Sequence, residues 1–262
     1  MSALTTISTP PVTSEATTPT KPAVSASKDY WIAPLKSWVW QKLSSATLED
    51  KIKDFYDRHT PISFETGDIF FRSVLTQDIT HFRALFVDPK VMEKMTDHQA
   101  RFEKESSEEW EKNQIQKADA RVAELVLRWA LKNPLSGFVM FRKSTGEFVG
   151  HVVAGYSGIP GRAEVAYMIP QSKWHQGYGT EGARFILKYL AALIQVHNKW
   201  IGKPLMIEGL PLTEAVAISR ADNIYSELIA RGMGMTFSQK IKKWNKPQMV
   251  YQFPFDPLRA RL

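Results

Sequence analysis

The chain has no cysteine. A disulfide framework, a thiolate metal site and a cysteine nucleophile are therefore excluded whatever the fold. Its six histidines are scattered and none stands in an H-x-x-x-H pair, which removes the helical zinc-site spacing. No run of lysine and arginine exceeds two residues, so a nucleic-acid-binding stripe is missing. No stretch of about 18 uninterrupted apolar residues occurs, so a membrane-spanning helix is not expected. The Gly-Lys-Ser/Thr end of a nucleoside-triphosphate loop is absent as well.

What is present is apolar and aromatic. Of 262 residues 44% are hydrophobic, with 8 Trp and 14 Phe, enough for one sizeable core with an appended helical segment. The net charge of +7 points to an acidic partner such as a phosphorylated cofactor, a nucleic acid or an anionic surface. Residues 1–27 contain 16 Ser, Thr or Pro and only two charges, Glu15 and Lys21. Such a segment buries too little apolar surface to offset its ordering entropy, and a disordered tail is expected. It lacks the apolar core of a secretory signal and the arginines of a mitochondrial presequence, so a cytoplasmic protein is expected.

Residues 28–65 read as a helical, Trp-rich extension. Trp31, Leu35, Trp38 and Val39 recur at helical spacing, as in a stretch that lies on a membrane or packs on the domain. Packing is favoured, because helical aromatic stripes are usually core. Thr47 and Asp50 form a capping-box pattern, and Leu48, Ile52 and Phe55 continue one apolar face. "IFFRSV" (69–74) reads as a strand, followed by a helix from Asp78 with Thr76 as N-cap. A long polar helix is predicted over 106–131, its first half exposed because its apolar residues come late. Then "GFVMFR", "EFVGHVVAGY" and "AEVAYMI" form an antiparallel meander, followed by an apolar helix over 184–196. Leu212–Ser219 reads as a strand, Asn223–Arg231 as a helix, and the end of the chain as a hairpin.

"GYGTEG" (177–182) spells G-x-G-x-x-G. A dinucleotide fingerprint needs its first glycine at the tip of a strand and an acidic residue about 20 positions on. Here "PQSKWHQ" intervenes, no Asp or Glu occurs between Glu181 and Glu208, and the preceding strands are a meander. The reading that remains is a different phosphate loop. Gly177 and Gly179 let the backbone approach an anion, and the amides from Gln176 through Tyr178 to Thr180 open a helix at the positive end of its dipole. A ligand-free helix start fits this stretch equally well.

The longer stretch "AEVAYMIPQSKWHQGYGTEGARFIL" resembles the acetyl-CoA-binding motif of the GNAT acetyltransferase superfamily, and most of all its ribosomal-protein N-terminal acetyltransferase branch. "ADNIYSELIARGMGM" (221–235) resembles that family's Asn-x-x-Ser–helix–Gly segment. The likeness spans roughly 70–255. Trp174 stands where Gln or Arg is usual, and Met235 where Phe is common. The resemblance implies an α+β fold, an α/β/α sandwich. Its mixed, mostly antiparallel sheet would carry a splayed parallel strand pair, with the domain covering 66–258. It also implies acetyl-CoA as co-substrate, no metal, and an amine-bearing acceptor: a protein N-terminus, a lysine or a small amine.

On that resemblance, backbone groups of Met168 and Ile169 pair with the pantetheine arm, the loop Gln176, Gly177, Tyr178, Gly179 and Thr180 holds the pyrophosphate, and Asn223 and Ser226 reach the same arm. Asn223 alone reads as a helix N-cap. Glu164 is the first candidate base, with Glu208 and His151 behind it; each also reads as a structural residue. The tyrosine that many members use as acid is replaced by Ala230. That leaves Ser226, Tyr225 or water as the proton source, and a non-catalytic acyl-CoA-binding or interaction module as the alternative function.

Overall fold

The computed structural model describes residues 45–59, 61–93, 95, 106–243 and 246–255. The Ser/Thr/Pro-rich tail and the Trp31–Val39 stripe lie outside the described residues. Eight strands form one sheet in the order β1-β2-β3-β4-β5-β8-β10-β9. They are β1 (Ser63–Thr66), β2 (Ile69–Ser73), β3 (Gly137–Arg142), β4 (Phe148–Tyr156), β5 (Arg162–Met168), β8 (Glu214–Arg220), β9 (Thr236–Lys243) and β10 (Lys246–Pro254). A two-stranded ribbon, β6 (Met206–Ile207) and β7 (Leu210–Pro211), stands apart from that sheet. Every pairing is antiparallel except β5 with β8.

Helices cover both faces. On one lie α1 (Ser45–Arg58), α5 (Tyr178–Val196) and α6 (Ile224–Gly232). The alternation of β-strand side chains sends Phe64, Phe71, Phe138, Met140 and Val152 to this face, where they meet Phe185 and Tyr189 of α5. Phe71 stacks on Phe185 with centroids 4.0 Å apart. Leu48, Ile52 and Phe55 of α1 are buried in the same core, as their spacing predicts. The extension therefore contributes to the main core, and the boundary drawn at 65/66 falls inside β1. Ser45 and Ala46 are already helical, so Thr47 lies within the helix instead of at its N-cap position.

On the other face lie α2 (Ile79–Phe86), the short α3 (Pro89–Met92) and α4 (Ser107–Ala130). Two expectations change here. Thr76 is not an N-cap; it opens a 3-10 turn, Thr76–Asp78, that leads into α2. The end is capped by Asp78, whose carboxylate accepts the Leu75 N–H at 2.7 Å. The first half of α4 is also less exposed than its composition implies. Trp110, Gln114 and Ala118 are buried in line with Val122, Leu125 and Trp129, one contiguous stripe at helical spacing. Ser106 caps this helix through the Glu109 N–H, with acidic Glu108 and Glu109 in its first turn.

Asp78 is fully buried and takes two hydrogen bonds from the Arg72 guanidinium, at 2.7 and 2.9 Å. It thereby joins β2 to the start of α2. Asp78→Ala leaves that guanidinium unpaired in a largely buried site, and we expect a loss of about 3–5 kcal/mol in urea denaturation. A loss below about 1 kcal/mol would place the pair in the class of weak surface bridges.

Candidate active site

Strand β5 pairs with β8 over three positions only, Arg162–Glu214, Ala163–Ala215 and Glu164–Val216. It stays paired with β4 on its other side as far as Met168. Beyond Glu164 the two parallel strands part, so the β8-facing backbone edge of β5 loses its sheet partner. Two cavities open at this fork. One, of about 590 Å³, is lined by His151, Glu164, Arg121 and Glu124. The other, of about 620 Å³, is lined by Ile169, Trp174, Gly177, Tyr178, Gly179 and Thr180. Tyr167, Met168, Asn223 and Ser226 line both, so the two spaces adjoin at the fork.

The second cavity is closed by the glycine loop. Gly177 has φ +85°, a left-handed conformation that glycine adopts without strain, and it is the N-cap of α5. No side chain caps this helix. Its first internal bond is Glu181 N–H to the Gly177 carbonyl, which leaves the amides of Tyr178, Gly179 and Thr180 outside the helical ladder. A Cβ on Gly179 would sit 2.8 Å from Ile229 Cδ1, so any side chain there has to push back the end of Ile229 on α6. Side chains around the loop serve to fix it. The Tyr178 hydroxyl accepts the Arg142 Nε–H at 2.7 Å, and Gln176 Oε1 accepts from the same guanidinium at 3.2 Å. Trp174 donates its indole N–H to the Ile169 carbonyl at 2.9 Å, tying the loop to the end of β5. Arg142 was not singled out in the sequence, because nothing local in "GFVMFR" links it to a loop 36 residues away.

The candidate bases separate clearly. Glu164 is half-buried in the first cavity and no described side chain hydrogen-bonds to it. Burial pushes its carboxyl above the ordinary carboxylate range, opposed by the charges of Lys243 and Arg121. His151 lines the same cavity, on β4 opposite Met168, and stacks on Phe82 with centroids 4.4 Å apart. Burial, aided by Arg121, lowers its imidazole to about 3, so it is neutral at physiological pH and too weak a base to hold a proton. Glu208 does not reach either cavity. It is exposed in the turn between β6 and β7, with φ +48°.

At the junction, Asn223 does cap α6: its Oδ1 accepts the Ser226 N–H at 3.2 Å. Its amide Nδ2 is the group left to donate into the cavities it lines. Ala230 is buried, with only a methyl group at the position expected to carry an acid. Tyr225 is mostly exposed and its ring meets His175 edge-on at 4.9 Å. Like Arg142, Tyr167 was not singled out in the sequence. Tyr167, on β5, lines both cavities together with Ser226, and burial pushes its phenol up to about 12. Strand periodicity assigns it a face, but Ser226 is brought beside it only by the docking of α6.

Residues 68–236 match the Acetyltransferase (GNAT) domain family. The match covers more than half of the chain, and the chain belongs to this family of acyltransferases. It is 28% identical over 179 residues to the uncharacterized protein YkkB of Bacillus subtilis (strain 168), which spans 66% of this chain and 84% of that one. Its fold is similar to that of the ribosomal-protein-S5-alanine acetyltransferase from Vibrio fischeri, with a TM-score of 0.54 at 15% identity over 75% of this chain and 98% of the other. An acetyltransferase from Agrobacterium tumefaciens str. C58 gives 0.50 at 13% identity, over 74% and 95%. Among the described residues no helix is long and apolar enough to cross a membrane.

The raised pKa of Glu164 has a consequence for stability. The folded state holds the proton more tightly than the unfolded chain. That contribution is full below the ordinary carboxylate value and is lost as pH rises through the elevated folded value. Glu164→Gln cannot lose it. The variant should therefore gain in Tm relative to the parent as pH is raised through that window, with the gain vanishing in acid. A Tm difference independent of pH would show that Glu164 is not desolvated.

Proposed function

We propose that this chain transfers an acetyl group from acetyl-CoA to a primary amine by direct attack. The observation that carries the reading is the release of β5 from β8 after Glu164, with two cavities meeting at the fork. The residues present fit the coenzyme. An unpaired strand edge suits the amides of a pantetheine arm, which would otherwise leave backbone donors and acceptors unmet. The free amides of Tyr178, Gly179 and Thr180, with that of Gln176 beside them, suit a pyrophosphate at a helix N-terminus, and the missing Cβ atoms of Gly177 and Gly179 allow it close. Lys90 and Lys173 line the same cavity, each paired with a carboxylate, Glu93 at 3.8 Å and Glu147 at 2.6 Å.

When bound, acetyl-CoA supplies an activated acetyl group. Backbone groups at Met168 and Ile169 hold its arm at the strand end; the Ile169 carbonyl already accepts from Trp174, so its second lone pair is the one left. Asn223 Nδ2 donates from the opposite wall. Glu164 takes the proton that the amine gives up, directly or through one water. Its elevated pKa brings it closer to neutral, where a general base works best. His151, kept neutral, contributes a hydrogen-bonding wall to the amine side. The acceptor is a protein N-terminus, a lysine or a small amine. A protein amine has support from the Vibrio fischeri relative, a ribosomal-protein-S5-alanine acetyltransferase.

Titration calorimetry tests the reading first. We expect selective, micromolar-range binding of acetyl-CoA, with NADH and ATP as weak controls. Gly179→Val should abolish that binding by wedging α5 from α6; parent-like affinity in this variant would move the pyrophosphate elsewhere. Glu164→Gln should bind acetyl-CoA normally and slow transfer by about 10²–10⁴-fold once an acceptor is in hand. Unchanged turnover would remove Glu164 as the base.

A further inference from the structure

A pyrophosphate site made of backbone amides needs them aimed at one point, and glycine is the residue least able to hold a direction by itself. We propose that Arg142 is a positioning residue for this site: by gripping the residues on both sides of Gly177, it sets the loop in advance for the coenzyme pyrophosphate. The inference rests on the acetyl-CoA reading above. It adds a side chain from outside the loop on which the affinity of the loop depends.

The grip is two-sided. The Nε–H and an Nη2–H of Arg142 both reach the Tyr178 hydroxyl, the first at 2.7 Å. Nη2 also donates to Gln176 Oε1 at 3.2 Å. Gln176 is oriented for this by its own Nε2–H, which donates to the Ser172 carbonyl at 3.0 Å. The guanidinium carbon lies over the Tyr178 ring, 5.5 Å from its centroid. Both neighbours of the left-handed Gly177 are thus tied to one planar, rigid group.

Arg142 is itself fixed. It ends β3 in register with Ile69 of β2, and its backbone N–H donates to the Glu147 carbonyl at 2.8 Å. Asp68, in the turn between β1 and β2, stands 3.7 Å from its Nε and balances the charge. The end of the β3–β4 hairpin holds the loop a second time, through the Glu147–Lys173 pair at 2.6 Å. Arg142 lines neither cavity, so it acts on a ligand through the loop and not by contact. Glu181, the acid in the first turn of α5, is kept off the anion side. Its carboxylate accepts the Thr66 hydroxyl, and it lines neither cavity.

A loop that becomes ordered only on binding loses part of its contact energy to that ordering. Holding Gln176 and Tyr178 before the ligand arrives removes the cost. The benefit falls on ligands that carry the pyrophosphate and on no others.

Titration calorimetry with coenzyme A, dephospho-coenzyme A and millimolar pantetheine reads that selectivity. Arg142→Gln should bind coenzyme A and dephospho-coenzyme A about tenfold more weakly than the parent, both by the same factor. Pantetheine, which has no phosphate, should stay within about twofold of the parent. Arg142→Lys keeps the charge but not the fork, and should lose nearly as much as Arg142→Gln. Tyr178→Phe, which removes one oxygen, should lose part of the same affinity and add little to Arg142→Gln. Parent-like affinity for coenzyme A in Arg142→Gln, or full rescue by lysine, overturns the proposal. So does an equal loss for pantetheine, the mark of a merely structural role, or a loss confined to coenzyme A, which would put Arg142 on the 3′-phosphate. Should Arg142→Gln fail to fold, the split between coenzyme A and pantetheine in Tyr178→Phe decides alone. Failure of the parent to bind coenzyme A overturns the acetyl-CoA reading itself, and this inference with it.

Discussion

Hydrogen bonding between β5 and β8 stops after the Glu164–Val216 pair, while β5 keeps its other neighbour as far as Met168. A strand edge inside a folded domain carries amides and carbonyls that need partners, because a buried backbone group left alone is costly. The fork therefore leaves a strand edge of β5 without a sheet partner, facing the two cavities. The rest of the site answers to it. The glycine loop starts where β5 ends, Trp174 anchors that loop to Ile169, and α6 brings Asn223 and Ser226 to the opposite wall.

The same fork sorts the ionisable side chains. Glu164 stands at the last paired position, in the cavity on the α4 side, where burial raises its pKa and Lys243 and Arg121 temper the rise. Tyr167, three residues on, lines both cavities, as does Ser226. His151, although central, is silenced by burial: a neutral imidazole with neither ring nitrogen hydrogen-bonded among the described residues adds polarity without basicity.

Much of the fold was legible because its signals are local. The meander of β3, β4 and β5 follows from alternating apolar residues and tight turns, and the helix after Gly177 from a glycine followed by a long apolar run. The errors have local causes too. Thr76 looks like a cap, but the buried Asp78 does the capping, drawn in by Arg72 of β2. The early part of α4 looks exposed because Trp110, Gln114 and Ala118 are few, one of them is polar, and charged residues surround them. Their burial depends on the packing of α2 and α4, which composition does not encode.

The sequence by itself determined most of the elements, the glycine-opened helix start at residues 177–180, the exclusion of thiol chemistry and the resemblance to an acetyl-CoA-binding motif. Each of these depends on residues within about one turn or one strand of each other, where spacing dictates geometry. Tertiary structure alone decided which acids and hydroxyls share a space. It removed Glu208 to an exposed turn, neutralised His151 by burial, and set Tyr167 and Ser226, 59 residues apart in the chain, on the walls of the same cavities. Proximity of that kind arises from the order of strands in the sheet and the docking of α6. These are properties of the whole packing, and no local pattern carries them.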